Sequence, residues 1–254
     1  MRLLIISALA MCLSTVAGTA GGLLIRKVPH KFNDAILGTA SGIMLAAAVL
    51  GLILPATQAG ALSWALPLTA AGVLLGALLV SMLDRITPHL HRLAGLDQES
   101  HAHNAGVGKV LLFVAAIAIH KLPEGLAAGV SFGTGVPGDV LTVTGSLALQ
   151  NIPEAMVIAA PLLSIGVSSR RTLGISFGIG LVSIAGIGLG YGLISVAAGV
   201  LPLILAFAGG AMLYVISDEM IPETHAHGNE KLATFSMILG FLFVLLAQRI
   251  LEAL

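Results

Sequence analysis

Charge is scarce in this chain: Asp, Glu, Lys and Arg make up 9% of its 254 residues, aromatic residues make up 4%, and there is one cysteine, Cys12. A lone cysteine excludes an internal disulfide, so stability must come from packing. Twelve cations balance twelve anions, with no basic block and no interleaving of basic with aromatic residues. The electrostatic footprint of a nucleic-acid binder is therefore missing. Missing too is any His-Glu-x-x-His run, the helix signature of a zinc hydrolase. So few charges cannot cover a soluble globular surface.

What fills the chain instead is apolar and small. Hydrophobic residues make up 57%, mean hydropathy is +1.03, and 31 residues are glycine. The chain reads as an all-α integral membrane protein in which small residues let helices approach closely. A spanning helix takes about 20 mainly apolar residues. Charge and Pro/Gly punctuation mark eight spans, near 3–25, 34–54, 64–84, 108–132, 140–165, 172–197, 200–217 and 232–251. The small residues of "AGTAGG" would suit signal-peptide cleavage. However, the positive cluster Arg26, Lys27 and Lys31 follows the apolar run, which favours a retained first helix. The chain is read as a single polytopic transmembrane domain over 1–254 with a flexible cytoplasmic loop at about 86–107.

Orientation follows from counting Lys and Arg. With the N-terminus outside, Arg26, Lys27, Lys31, Arg85, Arg92, Lys109, Arg170, Arg171 and Lys231 fall inside, and only Arg2 and Arg249 fall outside. Both termini are therefore expected outside, in a prokaryotic cytoplasmic (inner) membrane. On this topology seven histidines, His30, His89, His91, His101, His103, His225 and His227, lie at the cytoplasmic face, and His120 alone lies inside the membrane. The His-x-His spacings at 89/91, 101/103 and 225/227, beside Asp97, Glu99, Glu219 and Glu223, suit a metal-accepting inner face.

Within the membrane the sequence breaks its own rule. "HKLPEGLAAG" from His120 and "QNIPEAMVIAAP" from Gln150 place His120, Lys121, Glu124 and Glu154 in apolar surroundings. Such a residue costs about 2.5–3.5 kcal/mol at a helix centre on insertion scales and marks a functional site. Residues four apart share a helix face, so His120 stacks with Glu124 and Gln150 with Glu154. Imidazole with carboxylate is the donor mix of zinc, tolerable for iron, manganese or cobalt. With no thiolate the site can release its ion. Pro123 and Pro153 each remove a backbone N–H and free a carbonyl one turn earlier, near Ile119 and Leu149. A structural reading, in which the glutamates merely pair with Lys121 at two kinks, leaves the repeated Pro-Glu without a purpose.

These motifs, with "ASGIMLAAAVLGLILPA" in the second span and "GGAMLYVISDEMIPETHAH" at the end of the seventh, resemble the ZIP (Zrt/Irt-like) family of divalent-metal transporters and its GufA-type branch. The resemblance covers most of the chain. It implies an inverted repeat of helices 1–3 and 6–8 around a central pair, helices 4 and 5. It also implies movement of one bundle against the other and a homodimer. By motif, His120, Glu124, Gln150 and Glu154 correspond to the transport site, with Met44 close to where the branch often supplies a thioether. Lys121 stands where many members have Asn, and Asn151 where many have Asp. The sixth span lacks an acidic residue that some members use. One metal is therefore expected, not two, because the Lys121 ammonium would repel a second ion and occupy its place. Asp84, Asp218, Glu219, Glu223 and His225 would relay ions toward the histidine loop, implying import. The substrate expected is zinc, with cadmium, iron(II), manganese or cobalt also open, and no organic cofactor.

Other readings are an intramembrane metal-dependent hydrolase, a transporter of protons, monovalent ions or a small anion using Lys121, and a metal sensor. The first lacks a separate general base. Kinked helices with two buried glutamates argue against the last. Low pH is expected to inhibit metal binding, since protonated imidazole and carboxyl groups cannot coordinate.

Overall fold

A computed structural model describes residues 1–24, 30–59, 62–86, 107–196 and 198–252. Long apolar runs satisfy their backbone groups internally, as a medium without water requires, and the result is eight helices with no strand among the described residues. They are α1 (Arg2–Leu24), α2 (His30–Gln58), α3 (Leu62–Ile86), α4 (Val107–Val130), α5 (Pro137–Ser164), α6 (Ser169–Val196), α7 (Leu201–Thr224) and α8 (Glu230–Glu252). Seven are long and apolar enough to cross a membrane among the described residues. The eighth, α4, has 24 residues and carries the ionisable cluster.

All eight expected spans are present, but two run longer than charge punctuation suggested. α2 continues to Gln58 and α7 continues past Asp218 and Glu219 to Thr224. In each, a π-helical turn, Val49–Ile53 or Ile216–Met220, ends two residues before a proline, Pro55 or Pro222. Proline cannot donate to the carbonyl four residues back and its ring presses on it. A widened turn with i→i−5 bonds, Leu54 N–H to Val49 O and Ile221 N–H to Ile216 O, absorbs the misfit and lets the helix continue. At the end of α4 the chain instead stops, through a 3₁₀ turn closed by Gly135 at φ +72°, a left-handed conformation that glycine adopts without penalty.

The most extensive packing pairs α1 with α5, α4 with α6, α2 with α8 and α3 with α7. Backbones meet directly in each pair. Gly18 lies against the Ile152 carbonyl, Gly125 against that of Ser183, Gly42 against that of Met237 and Gly76 against that of Phe207. Adding the α1–α6 and α2–α7 contacts gives two groups, α1/α4/α5/α6 and α2/α3/α7/α8. Hydroxyls stitch the first group: Thr19 donates to the Ala155 carbonyl (3.2 Å), Ser176 to that of Thr15 (3.1 Å), and the two hydroxyl oxygens lie 2.7 Å apart. Where the groups meet, chiefly at α2–α5 and α4–α7, glycine contacts among the described residues are to side chains, such as Gly51 on Val143. The pairing maps onto itself when α1–α3 are exchanged with α6–α8 and α4 with α5, and the π turns of α2 and α7 exchange with it.

Because no side chain fits between α2 and α8 at Gly42, Gly42→Leu should lower stability by about 1–3 kcal/mol through overpacking. Gly174→Leu, on α6 with open space around it, should melt like the wild type. Thermal unfolding in one detergent checks both.

Candidate metal centre

Four oxygen atoms of three side chains on two helices converge on one nitrogen. Lys121 Nζ on α4 donates to both oxygens of Glu124 on its own helix, at 2.9 and 2.8 Å, and to Asn151 Oδ1 at 2.7 Å and Glu154 Oε2 at 2.6 Å on α5. An ammonium has three protons and no acceptor, so three acceptor groups saturate it. Lys121 and Asn151 are fully buried and Glu124 nearly so, while the Glu154 side chain keeps 23% of its exposure. Asn151 is itself held from α1, donating through Nδ2 to the Met11 carbonyl at 3.3 Å.

The i, i+3 spacing puts Lys121 over Glu124 on the side facing α5, and His120, one residue earlier, turns elsewhere. Its Nε2 stands 3.2 Å from Glu219 Oε1 on the π turn of α7, both side chains mostly buried. The widened turn thus places a carboxylate of the second helix group against an imidazole of the first. Gln150 is fully buried, and neither its amide oxygen nor its amide nitrogen has a hydrogen-bond partner. A buried amide with unspent donor and acceptor capacity is costly unless something else uses it. Met44 is buried on α2 in the main apolar cluster with Met11, Ala47 and Leu147.

In this arrangement no three His, Cys, Asp or Glu side chains among the described residues stand together as an ion's ligands. The two glutamates accept from the ammonium, and His120 Nε2 lies beside Glu219. Asp218 and Glu223 are partly buried on α7. His225 shapes the turn into α8: Nδ1 lies 2.8 Å from the Ile221 carbonyl and Nε2 3.1 Å from Thr234 Oγ1. The Asp84 side chain and the loop with His89, His91, Asp97, Glu99, His101 and His103 lie outside the described residues.

The structure also assembles a cluster that the motifs did not single out. Asp34, buried near the start of α2, accepts from His227 Nδ1 at 3.0 Å and from Asn229 Nδ2 at 2.8 Å, and His30 stacks on His227 with ring centroids 4.6 Å apart. The sequence held one signal of it, the i, i+4 spacing of His30 and Asp34 inside a helix start. The long-range partners were not readable.

α4 carries an imidazole and a carboxylate four residues apart and α5 an amide and a carboxylate four residues apart, each helix with a proline inside, and the chain that carries these motifs is similar to known proteins. The sequence profile described as "ZIP Zinc transporter" matches residues 97–248. Zinc transporter ZIPB of Bordetella bronchiseptica is 36% identical over 233 residues, 90% of this chain and 74% of that protein. Zinc transporter GufA of Myxococcus xanthus is 38% identical over 173 residues, 68% of this chain and 67% of that protein. Zinc transporter ZupT of Chlorobium luteolum is 30% identical over 257 residues, 94% of each chain.

Asn151 both accepts from the ammonium and ties α5 to α1, so Asn151→Ala should leave buried groups short of partners. A loss of about 1–3 kcal/mol is expected, read as a lower thermal midpoint than that of Ile152→Ala, whose side chain is exposed.

Proposed function

Since the chain belongs to the ZIP zinc transporter family, we propose that it moves zinc toward the cytoplasm through a single intramembrane site made by His120, Glu124, Gln150 and Glu154. The observation that carries this reading is the Lys121 ammonium between Glu124 and Glu154: a cation already sits where α4 and α5 bring two carboxylates together. A divalent ion offers twice the charge to the same oxygens. Taking the place of the ammonium, it gains Gln150, whose amide oxygen is unused, and His120, once this residue leaves Glu219. One nitrogen and three oxygen donors suit zinc, and also cadmium, iron(II), manganese and cobalt. Met44 stands in the proposal as a thioether donor from α2. No organic cofactor and no hydrolytic step are invoked.

Lys121 and Asn151 together account for a single ion. With zinc bound, the displaced ammonium and a neutral amide would stand where a second metal would need two further anionic ligands. The same pairing speaks against a small anion as substrate, because the ammonium is saturated by the protein's own oxygens.

Movement is proposed to follow the packing. His120, Glu124, Gln150 and Glu154 ride on α1/α4/α5/α6, tied internally by glycine contacts and hydroxyls, while Glu219 and Met44 belong to α2/α3/α7/α8. The exchange symmetry of the helix pairs and the matching π turns support the inverted repeat. Sliding one group past the other would part His120 from Glu219 and open the site to alternate sides. Inside, Glu219, Asp218 and Glu223 would take the ion onward with Asp84 and the histidine loop, and His225 contributes by shaping the α7–α8 turn. The excess of Lys and Arg expected at that face supports a cytoplasmic position for it, and the reading has both termini outside a prokaryotic inner membrane and two copies in a homodimer.

Zinc uptake into proteoliposomes tests the reading. Under one imposed zinc gradient the wild type should take up radiolabelled zinc above empty liposomes, and His120→Ala and Glu124→Ala should each lose at least tenfold of that rate. Folded wild-type protein without uptake of zinc or any of the other divalent ions would overturn it.

A further inference from the structure

A carrier that delivers zinc must also bring its empty site back, and the empty site here is two carboxylates on neighbouring helices in the middle of the bundle. Without a counter-charge it would carry two negative charges through a medium that penalises each one. The structure holds that counter-charge on the moving element itself. Lys121 belongs to α4, in the same helix group as Glu124, Asn151 and Glu154, and its ammonium is saturated by these three residues alone, at 2.6 to 2.9 Å. No group of α2, α3, α7 or α8 is needed to complete it.

We propose that Lys121 is a tethered counter-ion that replaces zinc in the empty carrier, so that the unloaded site returns and the protein performs net zinc transport rather than zinc-for-zinc exchange. The inference rests on the transport reading above and concerns the return half of its cycle. Charge accounting decides it. With the lysine, the empty site of one ammonium and two carboxylates carries a net single negative charge, and the zinc-loaded site a net single positive charge. Without it, the loaded site is neutral and the empty site carries two negative charges. The lysine thus makes the two half-cycles comparable, and its loss loads the penalty onto the empty return.

Alternation between the two cations needs a tether that can let go, and the four-carbon stem of lysine, with its compact ammonium and freely rotating donors, provides it. When zinc arrives, the carboxylates change partner, Gln150 gains one, and the ammonium is left with the neutral acceptor Asn151. When zinc leaves, the ammonium falls back between Glu124 and Glu154, which hinders rebinding from the side of release. Asn151 is well suited to this, because an aspartate there would hold the ammonium in both states.

The test compares two modes of radiolabelled zinc flux in the same proteoliposomes, with the membrane potential clamped. Net uptake is measured into zinc-free vesicles and exchange into vesicles holding equal unlabelled zinc on both sides. The expected result is that Lys121→Met lowers the ratio of net uptake to exchange at least tenfold, and that Lys121→Arg, which keeps a tethered cation, brings the ratio back toward the wild-type value. Exchange by Lys121→Met shows that it is folded. A ratio equal to that of the wild type would overturn the proposal. So would loss of both modes together, which would mark Lys121 as a structural link between α4 and α5. Absence of both modes in the wild type would instead overturn the transport reading itself.

Discussion

Glu124 and Glu154 approach one another between α4 and α5, where an unpaired buried charge is costly. One ammonium between them resolves this, with Asn151 taking its third proton. Removing one member of such a buried pair generally costs about 3–5 kcal/mol, because it strands the other charge. The requirement for a cation at this point is therefore a property of the fold, whichever cation meets it. Zinc transport, in this account, is the replacement of one cation that satisfies the requirement by another that can leave.

The remaining architecture surrounds the Lys121 cluster. Pro123 and Pro153 lie beside the two glutamates and keep the local backbone from being an ordinary helix interior. Glycine approaches bring α1 to α5 and α4 to α6, and separately α2 to α8 and α3 to α7, backbone to backbone. The interface between the groups passes the site. There the His120–Glu219 contact joins them, and the π turn ahead of Pro222 puts Glu219 within reach. A feature that looks like a local repair of a proline thus sets which residue of the second group meets His120.

Much of this could be read from the residues. Eight spans and the departure at Lys121 are local patterns, visible to hydropathy and motif. Less visible was anything that depends on two distant segments. Asp218 and Glu219 read as the end of a span because charge usually marks the membrane boundary, yet a π turn carries the helix through them. His120 and Lys121 are adjacent in sequence but face different helices, and only packing says that one meets α7 and the other α5. His225 looked like a ligand by its His-x-His spacing, while its ring nitrogens face the Ile221 carbonyl and Thr234. Asp34 and His227 lie 193 residues apart, and no spacing rule joins them.

The most direct measurement is the structure of the protein with zinc bound, with the metal located by anomalous scattering at the zinc edge. The account predicts one zinc peak per chain in the membrane, bounded by His120, Glu124, Gln150 and Glu154, with the Lys121 ammonium withdrawn from between the two carboxylates. A zinc ion bound elsewhere while Lys121 still bridges Glu124 and Glu154, or two ions side by side at the centre, would contradict it.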